Sequence, residues 1–357
     1  MDAISLFSGA GGMDVGFHQA GFNTVLACEM NRDACATFRM NNLGPMHEGD
    51  IRDVLPTLRA GQARLVFGGP PCQGISVAGK MDPQDPRSGL IDSFLDAVEA
   101  VGPSAFVMEN VDALLSVAKW RPRLQSIIER AGRLGFGFHC LVLNSADFGV
   151  PQARKRFFGI GVMGISDEEL GASLTASLGR LRTAPVPASS VFSRLGPQGS
   201  KRNPATSRAA ITFSKNPVMR RTAYAGMLFN GAGRPIDPSR PAPTMTASAG
   251  GNKTHIVDEE QVFGSGASFC ESYHRHLSEG GPSGALPLPS TLRRLTISES
   301  AAFQGFPEGF AFAGKNSSVY RQIGNAVPVG LARAVATAVA EAMTGRANDA
   351  ADTSLAA

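Results

Sequence analysis

Short apolar, β-favouring runs alternate with helix-period stretches through the first half of this 357-residue chain, and no other feature restricts its fold as much. Strand candidates fall at 3–6, 24–28, 65–67, 105–108, 138–143 and 157–162, with a weaker one in "HEGDI". Helix candidates at 13–20, 32–41, 88–101 and 121–134 lie between several of them. A strand that leads through a helix to another strand returns in parallel, so this order predicts an α/β domain with a mostly parallel sheet and helices on both faces. After about Gly164 the periodicity fades into Pro-, Gly-, Ser- and Arg-rich sequence such as "TAPVPASS" and "GGPSGALPLPS". This predicts a small, irregular, β-rich domain. Patterning returns near Leu292, and "VPVGLARAVATAVAEAM" reads as an apolar helix that needs the first domain as cover. The expected organisation is residues 1–165 and 320–344 as one domain, 166–319 inserted in it, and a disordered tail over 345–357.

Hydrophobic residues make up 43% of the chain, enough for a substantial core. No apolar run approaches the roughly 20 residues of a membrane span, and "MDAISLFSGAGG" lacks the pattern of a signal peptide, so a cytoplasmic protein without membrane contact is expected. The five cysteines, Cys28, Cys35, Cys72, Cys140 and Cys270, are scattered with no CxxC pair, which predicts reduced thiols and no metal. The formal charge is +4, yet between Leu170 and Ile236 there are ten Lys and Arg and no Asp or Glu, so the remainder carries −6. One basic segment on an otherwise acidic chain points to a polyanionic partner.

The stretch "AISLFSGAGGMDVGF" reads as a strand, a glycine-rich turn and a helix, a means of bringing backbone close to a ligand at the carboxyl end of a sheet. A dinucleotide fingerprint wants Gly or Ala where this chain has Asp14, which weakens a pyrophosphate reading. Glu29, at the end of the second strand, is placed to accept the hydroxyls of a ribose, and Asp50 an adenine amino group. An adenosine ligand without a pyrophosphate fits better than NAD, and S-adenosylmethionine is such a ligand.

Four further segments follow in order: "GGPPCQGIS", "MENVDAL", "PQARKRFFGIG" and "YRQIGNAVP". With "LFSGAGG" they form an ordered set that resembles the DNA cytosine C5-methyltransferase family over nearly the whole chain except the basic middle segment. The resemblance implies a Rossmann-like, S-adenosylmethionine-dependent catalytic domain with an inserted target-recognition domain. It implies a thiolate nucleophile at Cys72 that adds to carbon 6 of a flipped-out cytosine, a carboxyl at Glu109 acting on ring nitrogen 3, and two orienting arginines, Arg154 and Arg156. On a strand, those two would share one face. The family's cofactor pocket maps onto Phe7, Gly9, Gly11, Glu29, Met30, Asp50, Ile51, Pro70, Leu90 and Asn325. Gln73 and Ser76 match residues that contact DNA around the vacated base. Ile75 departs from the family, which carries an aromatic there, without removing a reactive group.

Within the family the basic interval holds the recognition region. Its Lys and Arg would neutralise phosphates of double-stranded DNA, while "RPAPTMTASAGGNKTHIVD" offers Thr244, Thr246, Ser248, Asn252, Lys253 and His255 as base readers. The interval shows no duplication, which predicts one short target sequence. With no regulatory domain visible, the chain reads as a monomeric bacterial modification enzyme, with or without a cognate restriction endonuclease. Two rivals stand beside this: an RNA cytosine methyltransferase of the same fold, whose "CFT" signature is absent here, and a catalytically silent DNA-binding relative.

Overall fold

The computed structural model describes residues 1–71, 89–264 and 266–355, with side chains as far as residue 345. The chain divides into two compact units. The first comprises Met1–Phe148, Lys155–Thr183 and Val327–Ala357, and the second Gly149–Arg154 and Ala184–Ala326.

The first unit is built on a seven-stranded sheet. Its strands are β1 Asp2–Leu6, β2 Asn23–Glu29, β3 Met46–Glu48, β4 Leu65–Gly68, β5 Ala105–Asn110, β6 Phe136–Asn144 and β7 Lys155–Met163, in the order β3-β2-β1-β4-β5-β7-β6. Strands β1 to β5 pair in parallel, and β7 runs antiparallel to both of its neighbours. This is the expected mostly parallel sheet, including the weakly signalled third strand. The reversal of β7 follows from its short connection to β6, which leaves no room for a crossover helix.

Helices cover both faces: α1 Gly12–Gln19, α2 Arg32–Met40, α3 Ile51–Val54, α4 Leu90–Val101, α5 Ala113–Ser116, α6 Arg121–Arg133 and α7 Asp167–Leu181. Successive strand residues alternate between two cores. Leu65, Phe67, Ala105 and Val107 pack with Phe17 of α1 and Leu170 and Leu174 of α7. Val66, Phe106 and Met108 face the other way, toward Phe94 and Val98 of α4 and Ile127 of α6.

The second unit contains α8 Ser189–Leu195, α9 Glu259–Phe263, α10 Phe269–Ser278, α11 Ile297–Phe303 and α12 Asn316–Asn325. It also holds two small antiparallel pairs, β8 Phe213–Val218 with β9 Met227–Phe229, and β10 Ile256–Asp258 with β11 Leu292–Arg294. Two apolar clusters serve as its core, one around Phe192, Phe303 and Leu295, the other around Tyr273, Phe229 and Leu228.

The boundaries differ from the expected 166–319 insertion at both ends. Helix α7 buries Leu170, Leu174 and Leu178 in the first unit's core, so that unit extends to Thr183. At the other end α12 belongs to the second unit, and the chain re-enters the first at Val327. There α13, Val329–Leu355, lays Leu331, Val335 and Val339 into the core shared with α1. Its backbone stays helical past Gly345, where the sequence led us to expect an unstructured tail; the alanine-rich composition favours helix over that interval. The segment 316–345 is long and apolar enough to cross a membrane by composition, but 67% of its most apolar window is buried inside the protein.

Candidate active site

At the end of β1 the chain turns sharply. Phe7 takes a left-handed φ of 55°, unusual for a residue with a side chain, and Gly9 and Gly11 follow at 54° and 83°. A Cβ at Gly9 would meet no atom within 4 Å, so space is open above the turn. At Gly11, which caps α1, the left-handed φ favours glycine, and a Cβ would press on the tip of the Leu43 side chain.

Glu29 at the end of β2 fastens the turn from the neighbouring strand. Its Oε2 accepts the Gly9 N–H at 2.9 Å and its Oε1 the Asn31 N–H at 2.7 Å. A carboxylate retains further acceptor sites beyond these two. Beside it the Met30 side chain is 66% exposed, an uncovered apolar surface at a strand end.

Asp50 follows β3 and caps α3, accepting from the Arg52 N–H at 2.9 Å. Nε and a terminal nitrogen of Arg52 also reach its two oxygens, at 2.8 and 2.7 Å. These side-chain hydrogen bonds, with the backbone one, hold the Asp50 carboxyl down at about 2, ionised and acceptor-only at neutral pH. Ile51 is buried behind it, Pro70 is buried after β4, and Leu90 lies half-buried at the start of α4. Carboxylates, an open glycine turn and exposed methionine suit a ligand that carries hydroxyl and amino donors and a flat apolar ring. They do not suit a pyrophosphate, which ionised carboxylates would repel.

At the end of β5 the Glu109 carboxylate forms an ion pair with Arg156, Oε1 to Nε at 2.9 Å. Both side chains are largely buried, at 13% and 17% exposure, so solvent screens the pair less than a surface one. Arg156 lies near the start of β7, and because that strand is antiparallel, its start meets the end of β5. A Cβ on Gly69 would come within 2.9 Å of Glu109 Oε2, so the glycine leaves the carboxylate its place. Asn110, which the sequence reading left without a role, donates from Nδ2 to the Pro70 carbonyl at 3.2 Å. Its place beside Glu109 in "MENVDAL" was the one available signal. Cys72, Gln73 and Ser76 lie outside the described residues.

Of the four described cysteines, Cys28, Cys35 and Cys270 are buried and Cys140 is half-buried. Burial pushes Cys28 up to about 12 and Cys35 and Cys140 to about 11, and raises Cys270 further. None is a thiolate at neutral pH.

The second unit places the remaining candidates. Strand β7 begins at Lys155, so Arg154 lies outside it and the expected shared face with Arg156 does not form. Arg154 is 2% exposed and donates to the Met245 carbonyl at 2.6 Å and the Gly324 carbonyl at 2.7 Å. Asn325 is exposed at the last residue of α12. Thr246, Ser248, Asn252 and Lys253 are exposed on one loop. Thr244 donates its hydroxyl to the Ala153 carbonyl at 2.9 Å. His255 does not have the free ring edge expected of a base reader. Its Nδ1 lies 3.3 Å from the Arg234 backbone nitrogen and 3.2 Å from the Arg234 carbonyl, and its Nε2 lies 3.3 Å from the Thr244 carbonyl, so backbone groups engage both ring nitrogens. Burial lowers its pKa and keeps it neutral. Of the ten cations in the acid-free stretch, Arg180 and Arg182 fall in the first unit, paired with Glu341 and Asp147. The other eight, Arg194, Lys201, Arg202, Arg208, Lys215, Arg220, Arg221 and Arg234, are exposed on the second.

Comparison with known proteins agrees with this layout. The Type II methyltransferase M1.HphI of Haemophilus parahaemolyticus is 32% identical over 354 residues, covering 94% of this chain and 86% of the relative. M.HgiDI of Herpetosiphon aurantiacus is 32% identical over 95% of this chain and 94% of its own length. Among solved structures the fold is similar to that of the S. pombe Dnmt2 methyltransferase, with a TM-score of 0.62 at 16% identity over 98% of this chain and 99% of that one. It is likewise similar to Entamoeba histolytica EhMeth, with a TM-score of 0.65 at 13% identity over 96% and 98%. The family model for C-5 cytosine-specific DNA methylases matches residues 1–341, and with the sheet order, the glycine turn and the Glu109–Arg156 pair in place, the chain belongs to that family.

Proposed function

We propose that the protein methylates carbon 5 of cytosine within one short duplex DNA sequence, using S-adenosylmethionine and Cys72 as nucleophile. What carries the reading is the Glu109 carboxylate, held by Arg156 over Gly69, with Cys72 three residues further along the chain. Carbon 5 of cytosine is a weak nucleophile. Addition of the Cys72 thiolate to carbon 6 moves an electron pair through the ring to nitrogen 3, where a proton on Glu109 would meet it. Carbon 5 then becomes enamine-like and takes the methyl group. A water then takes the carbon 5 proton, Cys72 leaves as thiolate and nitrogen 3 returns its proton to Glu109, which restores the aromatic ring. Arg156 orients Glu109 throughout. The target atoms lie inside the stack of a duplex, so the base must be flipped out.

Bound S-adenosylmethionine supplies the methyl group as a sulfonium. Glu29 would accept its ribose hydroxyls, Asp50 its amino group, and Met30 and Ile51 would flank the adenine, with Phe7, Gly9, Gly11, Pro70 and Leu90 completing the first unit's part of the pocket. We assign recognition and phosphate contacts to the second unit, and the chemistry to the first. The Type II names of the relatives support a modification role in a restriction–modification system and a cytoplasmic place of action.

The direct test is transfer of labelled methyl from S-adenosylmethionine to duplex DNA and, in parallel, to tRNA, followed by bisulfite sequencing. Label in DNA at one recurring sequence is expected. Incorporation into tRNA alone would transfer the protein to the RNA-modifying class. Cys72→Ser is expected to lose turnover while keeping DNA binding, and an active serine variant would refute the thiolate step.

A further inference from the structure

We infer that Arg294, acting with Arg154, sets the sequence specificity of the enzyme without touching DNA, by fixing both ends of loop 245–254 from inside the second unit. The inference rests on the assignment of target recognition to that unit.

The loop, "MTASAGGNKT", exposes Thr246, Ser248, Asn252 and Lys253, and its first two hydroxyls lie 3.2 Å apart. Its ends are gripped from beneath. At the start, Arg154 holds the Met245 carbonyl with one terminal nitrogen and the Gly324 carbonyl with the other, joining the loop to the end of α12. At the finish, Arg294 donates to the Thr254 carbonyl at 2.8 Å and, through its other terminal nitrogen, to the Asn230 carbonyl at 2.7 Å and side-chain oxygen at 2.9 Å. Both guanidiniums are buried, at 2% and 1% exposure.

Backbone fits backbone at the same two places. A Cβ on Gly324 would strike the Thr246 carbonyl, and one on Gly233 the Thr254 carbonyl. Glycine therefore lets the neighbouring chains close on the loop at the points the arginines hold.

The choice of residue is informative. Among the described residues no carboxylate pairs with Arg294, on which only desolvation acts, and its Nε is buried without a hydrogen-bond partner. Burying an unpaired cation is costly, and a position selected for stability alone would be better filled by a neutral side chain. Burial pushes Arg294 down to about 10, which leaves it charged at neutral pH. What the cost secures is a rigid planar fork that spans two carbonyls in a fixed geometry, which lysine's compact, rotatable ammonium does not impose. Groups that discriminate bases by hydrogen bonds need that kind of fixed placement.

The experiment uses the full-length enzyme and, as probes, duplexes bearing its target, identified by bisulfite sequencing, and the same duplexes with one base pair changed. Arg294→Lys is expected to lower the ratio of methylation on target to altered sites by about tenfold or more, with kcat on the target at saturating duplex kept within about threefold. A uniform fall on all duplexes with the ratio intact would make Arg294 a purely structural residue and overturn the inference. Should Arg294→Lys not fold, Asn230→Ala removes one of the three oxygens Arg294 holds and is expected to lower the ratio about threefold. An unchanged ratio in that variant overturns the inference equally. Failure of the unaltered enzyme to methylate any duplex would instead refute the functional assignment beneath it.

Discussion

Asp14 sits in the first turn of α1 with no exposed surface. Its Oδ1 accepts from the Thr24 hydroxyl at 3.3 Å, and that hydroxyl lies 3.0 Å from His18 Nε2. Desolvation raises the Asp14 carboxyl from 3.8 to about 7. The folded protein thus keeps a proton that the unfolded chain releases above 3.8, so the stability this adds is full at low pH and is lost as pH rises toward about 7. Asp14→Asn should match the parent near pH 4 and exceed it increasingly, by up to about 4 kcal/mol, by pH 8. Denaturant unfolding across that range checks it, and a constant gap would show that the carboxyl is not linked to folding. For the chemistry, Glu109→Gln should cost about a hundredfold or more in kcat while duplex binding persists in a filter or anisotropy assay. The positions of Glu29, Asp50 and Glu109 at or just after strand ends were legible in the sequence because the strand pattern is local. Asn110 and His255 were not, because their roles are hydrogen bonds to backbone remote in the chain.

Helix α11 shows how a capping motif recognisable in sequence acquires a second use. Thr296 and Glu299 form a capping box, with the Glu299 N–H bonded to the Thr296 hydroxyl at 3.1 Å and the Thr296 N–H to Glu299 Oε2 at 2.9 Å. Glu299 is also fully buried against Arg293, at 2.6 Å, and accepts from Asn203 at 2.9 Å. Glu299→Ala should therefore cost about 3–5 kcal/mol, since it leaves a buried arginine with only Glu259, whereas loss of a cap alone costs about 1 kcal/mol. Equilibrium unfolding separates the two, and a cost near 1 kcal/mol would mean that the ion pair adds nothing. At this scale strand and helix positions in the first half were readable because period-2 and period-3.6 patterns are local. The assignment of α7 and α12 to units was not, because it depends on which distant core each apolar stripe meets.

Across the whole molecule, charge is distributed by unit. Eight exposed Lys and Arg lie in the part of the second unit that precedes Ile236, where no acid occurs, a local positive charge that the net charge of +4 conceals. If about half of them meet phosphates, the logarithm of duplex affinity should fall with the logarithm of salt at a slope of about −4. Arg220→Ala and Arg221→Ala should each lower the slope by about 1 if they are among those contacts. An affinity independent of salt would remove the basic segment from the DNA interface.

From the sequence alone came the alternation that makes a mostly parallel sheet, the glycine-rich turn after the first strand, and the ordered motifs of the C-5 cytosine-specific DNA methylase family. These are local properties, set by backbone sterics, side-chain period and intrinsic reactivity. That Arg154 grips a loop from within while Arg156 pairs with Glu109, although a single residue separates them, emerges only from the folded chain. Strand β7 begins between them, and the chain passes there from one unit to the other. Such a boundary is set by which cores the flanking segments fill, and no spacing along the sequence records it.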